Sequence, residues 1–587
     1  MLDFNNFIRE TNLCDPALQN AEFTWSNNRE IVIWCRLDRF LFSTGWEDVF
    51  SDARQLALTR VTSDHCPVLL DTNIVKWGPA PFRFENMWLE HPSFKENFKI
   101  WWEEESFQGW EGFKFMRKLR SLKQKIKVWS KEVFGEVGSE KKEVEILIKQ
   151  LDTTEIRQGL NDNERSQREA ARVRLDQIVF LDEIRWRQRA KFDWAKVGDS
   201  NTSFFHRVVN GRRKRSFIQK LEVGSGLVVE DESLIEKEII NFYEKLYSSN
   251  EEVVWGLEGL NWSQISVEKA LWLERPFEEE EVKNAVFDCG KDKSPGPDGF
   301  SLAALQRNWE VVKGEILRVM AEFYTNGVVN KVTNETYICL IPKKSNSIKV
   351  ADFRPISLTT SLYKIVAKVL AGRLNEVLED TISYAQGAFV KNRQILDAVL
   401  VANELVDEVR LKKKRGLVFK IDFEKAYDHV EWKFLDFVLE KKGFGSRWRI
   451  WINECLRTAN FSVLINGRPR GKFGATRGLR QGDPLSPFLF ILVVDVLSRL
   501  TEKAKECGII EGLAVGRENI EITHLQFADD TIFFLKDDEQ NCANLNLILE
   551  TFCCISGMNI NNAKCSLVGI NADTSSVERL AKCLVVG

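Results

Sequence analysis

Two consecutive aspartates interrupt a hydrophobic segment near the carboxyl end of this 587-residue chain. Asp529 and Asp530 follow Phe527 and Ala528 and precede the apolar run 532–535. Because neighbouring side chains of a strand point to opposite faces, two carboxylates in such a segment predict a turn, and we expect a hairpin with both acids at its tip. An ordinary solvated turn is the alternative, since aspartate is common in turns.

A second strand-like run supplies a third acid. Leu417, Phe419 and Ile421 share one face of this run, and Asp422 follows on the other face. Three carboxylates at the ends of adjacent antiparallel strands can hold two Mg²⁺ ions, which prefer hard oxygen ligands and keep positions free for substrate phosphates. Two ions about 4 Å apart can activate a primer 3′-hydroxyl and neutralise the leaving pyrophosphate. The pattern therefore favours polymerase chemistry.

Three sequence blocks carry a more specific signal: 420–428 (KIDFEKAYD), 478–487 (GLRQGDPLSP) and 527–530 (FADD). In this order they resemble the reverse transcriptase of a non-LTR (LINE-type) retrotransposon, in a plant-like version. Residues 293–299 (KSPGPDG) resemble an early loop of that family, and residues 341–344 and 352–358 resemble its fingers. The resemblance implies an α+β fold with the palm and fingers of a right-hand polymerase.

The resemblance assigns catalytic roles to the three acids. Asp422, Asp529 and Asp530 are expected to hold the two Mg²⁺ ions, and the backbone carbonyl of Phe423 is the usual additional ligand. Tyr427 lies where the family places an aromatic ring against the nucleotide sugar, so that a 2′-hydroxyl would clash with it. Plain core packing is the alternative for this tyrosine.

The resemblance also predicts a nucleotide-binding set. Gln481 and Gly482 match the loop that contacts the incoming nucleotide and the template. Lys564 matches a lysine of the fourth palm motif that would protonate departing pyrophosphate or stabilise its charge. Three basic residues are expected to bind the triphosphate: Lys343, Lys344 and Arg354. Solvated surface charges are the alternative for Lys344 and Lys564.

The first 75 residues alternate short strand-like runs with turn signals. Residues 36–43 and 61–70 resemble the closing strands of the endonuclease/exonuclease/phosphatase family. In that family the residue matching His65 approaches the scissile phosphate, the one matching Asp38 orients its imidazole, and the one matching Asp64 lies beside the metal. The metal-binding glutamate and catalytic Asp-Asn pair of that family match no segment here, so we expect a partial α/β sandwich without nicking activity.

These patterns predict three regions. Residues 1–75 are expected to be the C-terminal part of an endonuclease/exonuclease/phosphatase-like domain, and residues 76–270 a helical, charge-rich connector. Residues 271–587 are expected to form the reverse transcriptase fingers and palm, with the thumb missing or truncated. Helical periodicity over residues 113–163 and 164–191 indicates an extended helical hairpin within the connector.

The formal net charge of −3 restricts any attraction for nucleic acid to local patches. Residues 185–220 hold eleven Lys or Arg against two Asp or Glu, interleaved with aromatic residues, which suits an RNA-contacting element. An amphipathic helix with a solvated basic face is the alternative. The run 212–215 (RRKR) is also typical of a weak nuclear-import signal.

The twelve cysteines form no C-x-x-C pair, and only five histidines accompany them. A zinc site is therefore not indicated, and a reducing intracellular compartment is the natural interpretation. No signal peptide opens the chain, and the apolar run after the 478–487 block is far shorter than the roughly 20 residues that cross a bilayer. We therefore expect no membrane partner.

The interpretation that best fits these patterns is an RNA-directed DNA polymerase that extends a primer 3′ end with two Mg²⁺ ions as cofactors. Its expected partners are an RNA template, a DNA primer and deoxynucleoside triphosphates. The resemblance places such a protein in the nucleus and cytoplasm as a ribonucleoprotein. A truncated, catalytically inactive retroelement product that retains only nucleic-acid binding is the alternative.

Overall fold

A computed structural model of the protein describes most of the chain. The residues described without interruption are 80–135, 137–190, 215–224, 226–249, 256–344 and 346–584. Shorter stretches are described between residues 2 and 72 and at 209, 211 and 212. Residues 191–208 of the basic stretch, and two residues of the run 212–215, lie outside the described residues. The RNA-contacting role of that stretch stays a prediction.

Helices and strands are numbered in chain order over the described residues. The helices are α1 (Leu2–Glu10), α2 (Phe94–Glu103), α3 (Glu111–Phe134), α4 (Val137–Gln158), α5 (Asp162–Ala190), α6 (Glu232–Leu246), α7 (Val267–Leu273), α8 (Glu279–Phe287), α9 (Leu302–Arg307), α10 (Trp309–Asn326), α11 (Ser361–Asn375), α12 (Leu378–Thr381), α13 (Ile395–Leu411), α14 (Trp432–Lys441), α15 (Ser446–Arg457), α16 (Ser486–Glu506), α17 (Glu539–Ser556) and α18 (Thr574–Cys583). The strands are β1 (Leu13–Cys14), β2 (Trp25–Ser26), β3 (Trp34–Cys35), β4 (Phe42–Ser43), β5 (Arg54–Ala57), β6 (Val68–Asp71), β7 (Leu221–Glu222), β8 (Val228–Val229), β9 (Glu335–Pro342), β10 (Phe353–Thr359), β11 (Gly416–Ile421), β12 (Phe423–Glu424), β13 (Asn460–Ile465), β14 (Arg468–Gly474), β15 (Leu513–Val515), β16 (Ile520–Ile522), β17 (His524–Phe527), β18 (Asp530–Lys536), β19 (Asn559–Ile560) and β20 (Ser566–Ile570). The chain is thus a mixed helix and sheet protein.

A four-stranded sheet with the order β17-β18-β11-β20 forms the centre of the C-terminal half. All of its neighbouring strands are antiparallel, and Phe419 of β11 lies opposite both Phe533 and Leu567. Leu417, Phe419 and Ile421 are buried on one face, as their alternation predicts. Asp422 is the residue that directly follows the carboxyl end of β11.

Helix α16 runs through the core beside this sheet. Its residues 489–494 are at most 1% exposed, so the apolar run after the 478–487 block forms a buried helix. The helix also carries a buried charge, because Asp495 pairs with Lys442 of the segment after α14 at 2.5 Å. Arg499, one turn further along, lies 3.1 Å from the same carboxylate. Paired in this way, buried charges are tolerated.

A second four-stranded sheet has the order β10-β9-β13-β14, with β9 and β13 parallel. Helix α6 packs on this sheet, since Ile235, Ile239 and Tyr243 share a hydrophobic cluster with Ile338 and Val463. Helix α6 belongs to the segment expected to be a connector. It contributes to the same core as the strands that carry the fingers-like blocks.

The predicted helical hairpin is present as α4 and α5. Arg174 pairs with Glu140 at 2.6 Å across it, and Arg168 pairs with Asp152 at 3.3 Å. The stretch 113–163 holds two helices, because α3 ends at Phe134 and α4 extends from Val137 to Gln158. Glycine has a low helix propensity, and a charge-rich pattern does not reveal such short breaks.

Shorter pairings fill the N-terminal stretch. The described residues there form three two-stranded sheets, β1 with β4, β2 with β3 and β5 with β6. Further along, the aromatic residues Phe84, Phe98, Trp102 and Trp129 are buried in one hydrophobic cluster with residues of α16. None of the helices in the described part of the chain combines the length and hydropathy needed to span a membrane.

Candidate active site

The acidic pair lies at a tight hairpin, as predicted. Strands β17 and β18 pair so that Phe527 lies opposite Asp530, which leaves Ala528 and Asp529 as a two-residue loop. Ala528 has a φ of 56°, a left-handed conformation that is uncommon outside glycine. Its N–H donates to Oε1 of the buried Gln386 at 2.9 Å, and this contact holds the turn in place.

Asp422 lies beside this hairpin. Ile421 of β11 is opposite Thr531 of β18, and the two strands are antiparallel. Asp422, which follows Ile421, therefore lies next to Asp530, which precedes Thr531. Removal from water, followed by the negative charges of Asp530 and Asp422, raises the pKa of the Asp529 carboxyl above its ordinary value. Two distant segments of the sequence thus place three carboxylates within one electrostatic cluster.

Lysine side chains balance two of these acids. Nζ of Lys564 lies 3.2 Å from Oδ2 of Asp422, and Nζ of Lys420 lies 3.1 Å from Oδ1 of Asp530. Asn561 also contacts Asp422, because its backbone N–H donates to the Asp422 carbonyl at 2.8 Å and its Nδ2 donates to Oδ2 at 3.3 Å. The fourth palm motif is therefore joined directly to the strand that carries the first acid.

The acidic cluster has the donor chemistry of a magnesium site but not a preformed arrangement. Throughout the part of the chain that the structure describes, no three His, Cys, Asp or Glu side chains are arranged to hold a metal ion. Carboxylate and carbonyl oxygens are the ligands that Mg²⁺ prefers. Lys564 and Lys420 each contact one oxygen of a carboxylate, so a metal ion at these acids would compete with both lysines.

The acids open into a cavity of about 480 Å³. Nine of the predicted site residues line it: Lys343, Arg354, Asp422, Phe423, Tyr427, Gln481, Gly482, Asp529 and Lys564. Asp530 is not among the lining residues, and its side chain is 58% exposed beside Lys420. The structure therefore brings these nine predicted residues into one cleft, while their catalytic roles stay a prediction.

Four basic residues lie along this cleft: Lys343, Arg354, Lys425 and Lys564. Burial, followed by the positive charges of Lys564, Lys425 and Arg354, lowers the pKa of Lys343. Lys344 differs from its neighbour, because it pairs with Asp352 at 3.0 Å and does not line the cleft. Lys344 is therefore a surface charge, the alternative expected for it. The four basic residues of the cleft surround the acids with positive charge.

Tyr427 both packs and lines the cleft. Its ring stacks on Phe490 of α16, with ring centroids 4.3 Å apart and planes 14° from parallel. Burial, together with the charge of Asp529, raises the pKa of its hydroxyl. The packing expected as the alternative is thus real, and it fixes the ring against the wall of the cleft beside the acids.

The loop of Gln481 and Gly482 is attached to strand β10. The N–H of Ser357 donates to the Gln481 carbonyl at 2.8 Å. Gly482 has a φ of 98°, and a Cβ there would lie 3.2 Å from the Ser357 carbonyl oxygen. Gly478 at the start of the same block is equally restricted, since a Cβ would lie 2.6 Å from the Asp428 carbonyl oxygen. Glycine therefore permits close approach of the loop to its neighbours.

The cleft is also lined by residues that sequence reasoning did not single out, among them Phe242, Tyr243, Leu246, Lys425 and Asp428. The last two lie inside the 420–428 block, where their charges were a usable signal. The first three come from α6, far upstream, and no local periodicity indicates that this helix reaches the site. Lys425 connects the two groups, because its Nζ lies 4.6 Å from the ring centroid of Phe242.

The predicted endonuclease-like residues lie together near the N-terminus. Nδ1 of His65 is 2.8 Å from Oδ2 of Asp38, and Nε1 of Trp25 donates to Oδ2 of Asp64 at 2.8 Å. Although burial acts in the opposite direction, hydrogen bonds from His65 and Thr24 lower the pKa of Asp38. The contact between Asp38 and His65 has the geometry in which a carboxylate orients an imidazole.

The chain is similar to several known proteins. Residues 341–578 match the family model described as "Reverse transcriptase (RNA-dependent DNA polymerase)". The chain is 26% identical over 546 residues to the transposon TX1 uncharacterized 149 kDa protein of Xenopus laevis, covering 88% of this chain and 40% of that protein. It is 30% identical over 284 residues to a retrovirus-related Pol polyprotein from the type-1 retrotransposable element R2 of Nasonia vitripennis, covering 48% of this chain and 26% of that protein.

A solved telomerase from Candida albicans, in complex with a fragment of telomeric RNA, matches with a TM-score of 0.31 and 14% identity, over 42% of this chain and 43% of that chain. The class follows from the family match and the sequence relatives: the chain carries a reverse transcriptase domain. More particularly, it is similar to proteins of the non-LTR retrotransposon type. It spans less than half the length of the Xenopus and Nasonia relatives.

Proposed function

We propose that the protein is an RNA-directed DNA polymerase, which adds deoxynucleotides to a primer 3′ end along an RNA template. The observation that carries this proposal is that Asp422 and Asp529 line the same cleft of about 480 Å³, with Asp530 beside them on the strand that pairs with β11. Acids able to hold divalent cations, with basic side chains along the same cleft, suit a primer end and a triphosphate.

Asp422, Asp529 and Asp530, with the backbone carbonyl of Phe423, are the residues that would hold two Mg²⁺ ions. When bound there, such ions make the primer 3′-hydroxyl a better nucleophile and offset the charge of the leaving pyrophosphate. Asn561 supports this role, because its Nδ2 donates to the Asp422 carboxylate and its backbone N–H donates to the Asp422 carbonyl, and the two contacts together hold this residue in place. The acids themselves contribute fixed geometry and negative charge.

The remaining residues of the cleft bind and orient the nucleotide. Lys343 and Arg354 contact the triphosphate, and Lys564 moves from Asp422 to stabilise the departing pyrophosphate. Tyr427, fixed by its stack on Phe490, excludes a 2′-hydroxyl and so selects deoxynucleotides. Each role uses a side chain that already lines the cleft.

The same proposal assigns the rest of the chain. Residues 1–75 are a remnant of an endonuclease/exonuclease/phosphatase-like domain, which the contact between His65 and Asp38 supports. Residues 76–270 connect it to the fingers and palm at 271–587, and the element is of plant type. We place the protein inside the cell as a ribonucleoprotein of nucleus and cytoplasm, with an RNA template, a DNA primer and dNTPs as its partners.

A second candidate function is nucleic-acid binding without catalysis. The observation that favours it is the lack, within the described residues, of a preformed metal-binding arrangement, with Lys564 and Lys420 paired to the acids instead. A chain in which these ion pairs persist in Mg²⁺ would bind primed template and add no nucleotide.

Primer extension distinguishes the two functions. The purified chain is supplied with a primed RNA template, labelled dNTPs and Mg²⁺, beside an Asp529→Asn variant and a matched Asp407→Asn control on the exposed face of α13. The polymerase proposal predicts extension by the wild-type chain and the control, and none by Asp529→Asn. Template binding by all three chains without extension by any would establish the binding-only function.

A further inference from the structure

A buried carboxylate lies behind the acidic cluster. Asp428 is fully buried, yet it borders the cleft. Its Oδ1 accepts a hydrogen bond from the hydroxyl of Tyr247 at 2.7 Å, and its Oδ2 accepts one from Nε2 of Gln481 at 3.3 Å. Each oxygen of Asp428 therefore has a side-chain donor, one from the end of α6 and one from the nucleotide loop.

Tyr247 is held firmly by its surroundings. It follows α6 directly, is 2% exposed, and stacks on Phe461 with ring centroids 5.3 Å apart and planes 4° from parallel. Its backbone carbonyl accepts from the N–H of Thr476 at 2.9 Å. At Gly478, a Cβ would lie 2.9 Å from the tyrosine ring. The hydroxyl of Tyr247 is thus a fixed point against which Asp428 is oriented.

The carboxylate determines which end of the Gln481 amide faces it. Burial raises the pKa of Asp428 to about 6, while the Tyr247 hydrogen bond and the charges of Lys425 and Lys343 act in the opposite direction. Above neutral pH the group is therefore an anion, and an anion only accepts hydrogen bonds. Gln481 must direct its nitrogen toward Asp428, which leaves its side-chain oxygen at the other end of the amide.

We propose that Asp428 and Tyr247 are positioning residues that hold the Gln481 side-chain oxygen toward the cleft, where it accepts a hydrogen bond from the 3′-hydroxyl of the incoming deoxynucleotide. The donors of the base are engaged in pairing with the template, which leaves this hydroxyl as the donor on the sugar. The inference rests on the proposed polymerase function. It makes α6 part of the nucleotide site.

An Asp428→Asn substitution tests the orientation directly, because it keeps the shape and changes one acceptor into a donor. The Tyr247 hydroxyl requires the asparagine oxygen, so the asparagine nitrogen faces Gln481 and reverses its amide. We expect the KM for dNTP to rise about tenfold, the equivalent of about 1.4 kcal/mol, with kcat changed less than about threefold. The preference for dNTPs over 2′,3′-dideoxynucleotides, as a ratio of kcat/KM, falls about tenfold.

Two further variants make the test decisive. Tyr247→Phe removes only the hydroxyl and is expected to shift KM and the dideoxynucleotide ratio in the same direction by about threefold. If Asp428→Asn does not fold, the result for Tyr247→Phe alone tests the inference. Tyr324→Phe, whose hydroxyl does not line the cleft, leaves both unchanged. If the wild-type chain extends primers and the dideoxynucleotide ratio is the same in every variant, the inference is wrong. If the wild-type chain extends nothing, the polymerase proposal is wrong and the inference with it.

Discussion

Nζ of Lys564 lies 3.2 Å from Oδ2 of Asp422, so this lysine neutralises the acid that directly follows β11. The lysine is 66% exposed and the aspartate 27% exposed, which leaves both accessible from the cleft. A divalent cation and an ammonium group would compete for the same carboxylate. The ion pair therefore connects metal binding with the freedom of Lys564 to contact phosphate.

Replacing Lys564 with Met should strengthen the response of the protein to Mg²⁺. Loss of this exposed ion pair is expected to lower the stability of the metal-free chain by less than about 1 kcal/mol. Removal of the competing ammonium lowers the Mg²⁺ concentration that gives half of the thermal stabilisation. The control is Lys412→Met, which removes an exposed pair with Glu408 on α13. Identical Mg²⁺ titrations of all three chains, followed by thermal midpoint, would contradict the competition.

Replacing Tyr427 with Val should admit ribonucleotides. The aromatic ring is fixed by its stack on Phe490, and without it the space beside the sugar is no longer filled. We expect the preference for dNTPs over rNTPs to fall by about tenfold or more, a loss of at least about 1.4 kcal/mol of discrimination. Tyr427→Phe keeps the ring and should keep the preference. Single-nucleotide incorporation with each triphosphate measures the ratio, and equal loss in both variants would exclude the ring as the cause.

Acid should destabilise the fold through His524. Burial lowers the pKa of this histidine to about 4, and its ring nitrogens contact Thr523 and Ser498. Between the unfolded pKa of about 6.5 and pH 4, the unfolded chain binds a proton that the folded chain does not. Stability is thus complete above pH 6.5 and decreases as the pH falls, by on the order of 3 kcal/mol at pH 4. Urea midpoints from pH 7.5 to 4 should fall less steeply for His524→Gln, and parallel curves would refute this role.

Replacing Gly482 with Ala should impair nucleotide binding as well as stability. The left-handed backbone costs a non-glycine residue about 1–2 kcal/mol, and the new Cβ would also displace the Ser357 carbonyl of β10. Gly508 has a φ of 68° with open space around it, so Gly508→Ala isolates the backbone cost. We expect both variants to lose stability and only Gly482→Ala to raise the KM for dNTP. An unchanged KM would show that the close approach to β10 does not shape the site.

Much of the sheet β17-β18-β11-β20 could be predicted from sequence because its signals are local. Alternation over residues 417–421 determines which face is buried, and consecutive acids at Asp529 and Asp530 require a turn. The resemblance brought in Tyr427 and the 481–482 loop, and the structure places them in the same cleft. The roles of these residues still await the measurements above.

The contacts that sequence reasoning missed are those between distant segments. Tyr247 meets Asp428 across 181 positions, and Asn561 meets Asp422 across 139, separations at which no periodicity carries information. Likewise, Lys343 and Lys344 are neighbours in the bend after β9, but only Lys343 lines the cleft, whereas Lys344 pairs with Asp352. The pairing of lysines with the acids depends on side-chain geometry that a motif does not specify.

Crystals of the protein with primed template, a non-hydrolysable dNTP analogue and Mn²⁺ test the central claim most directly. The anomalous signal of manganese locates the ion independently of the protein model. We predict a peak at about 2.1 Å from oxygens of Asp422 and Asp529, the distance typical of small hard cations, with Lys564 released from Asp422. A manganese peak elsewhere, or none while Lys564 still contacts Asp422, would contradict the account.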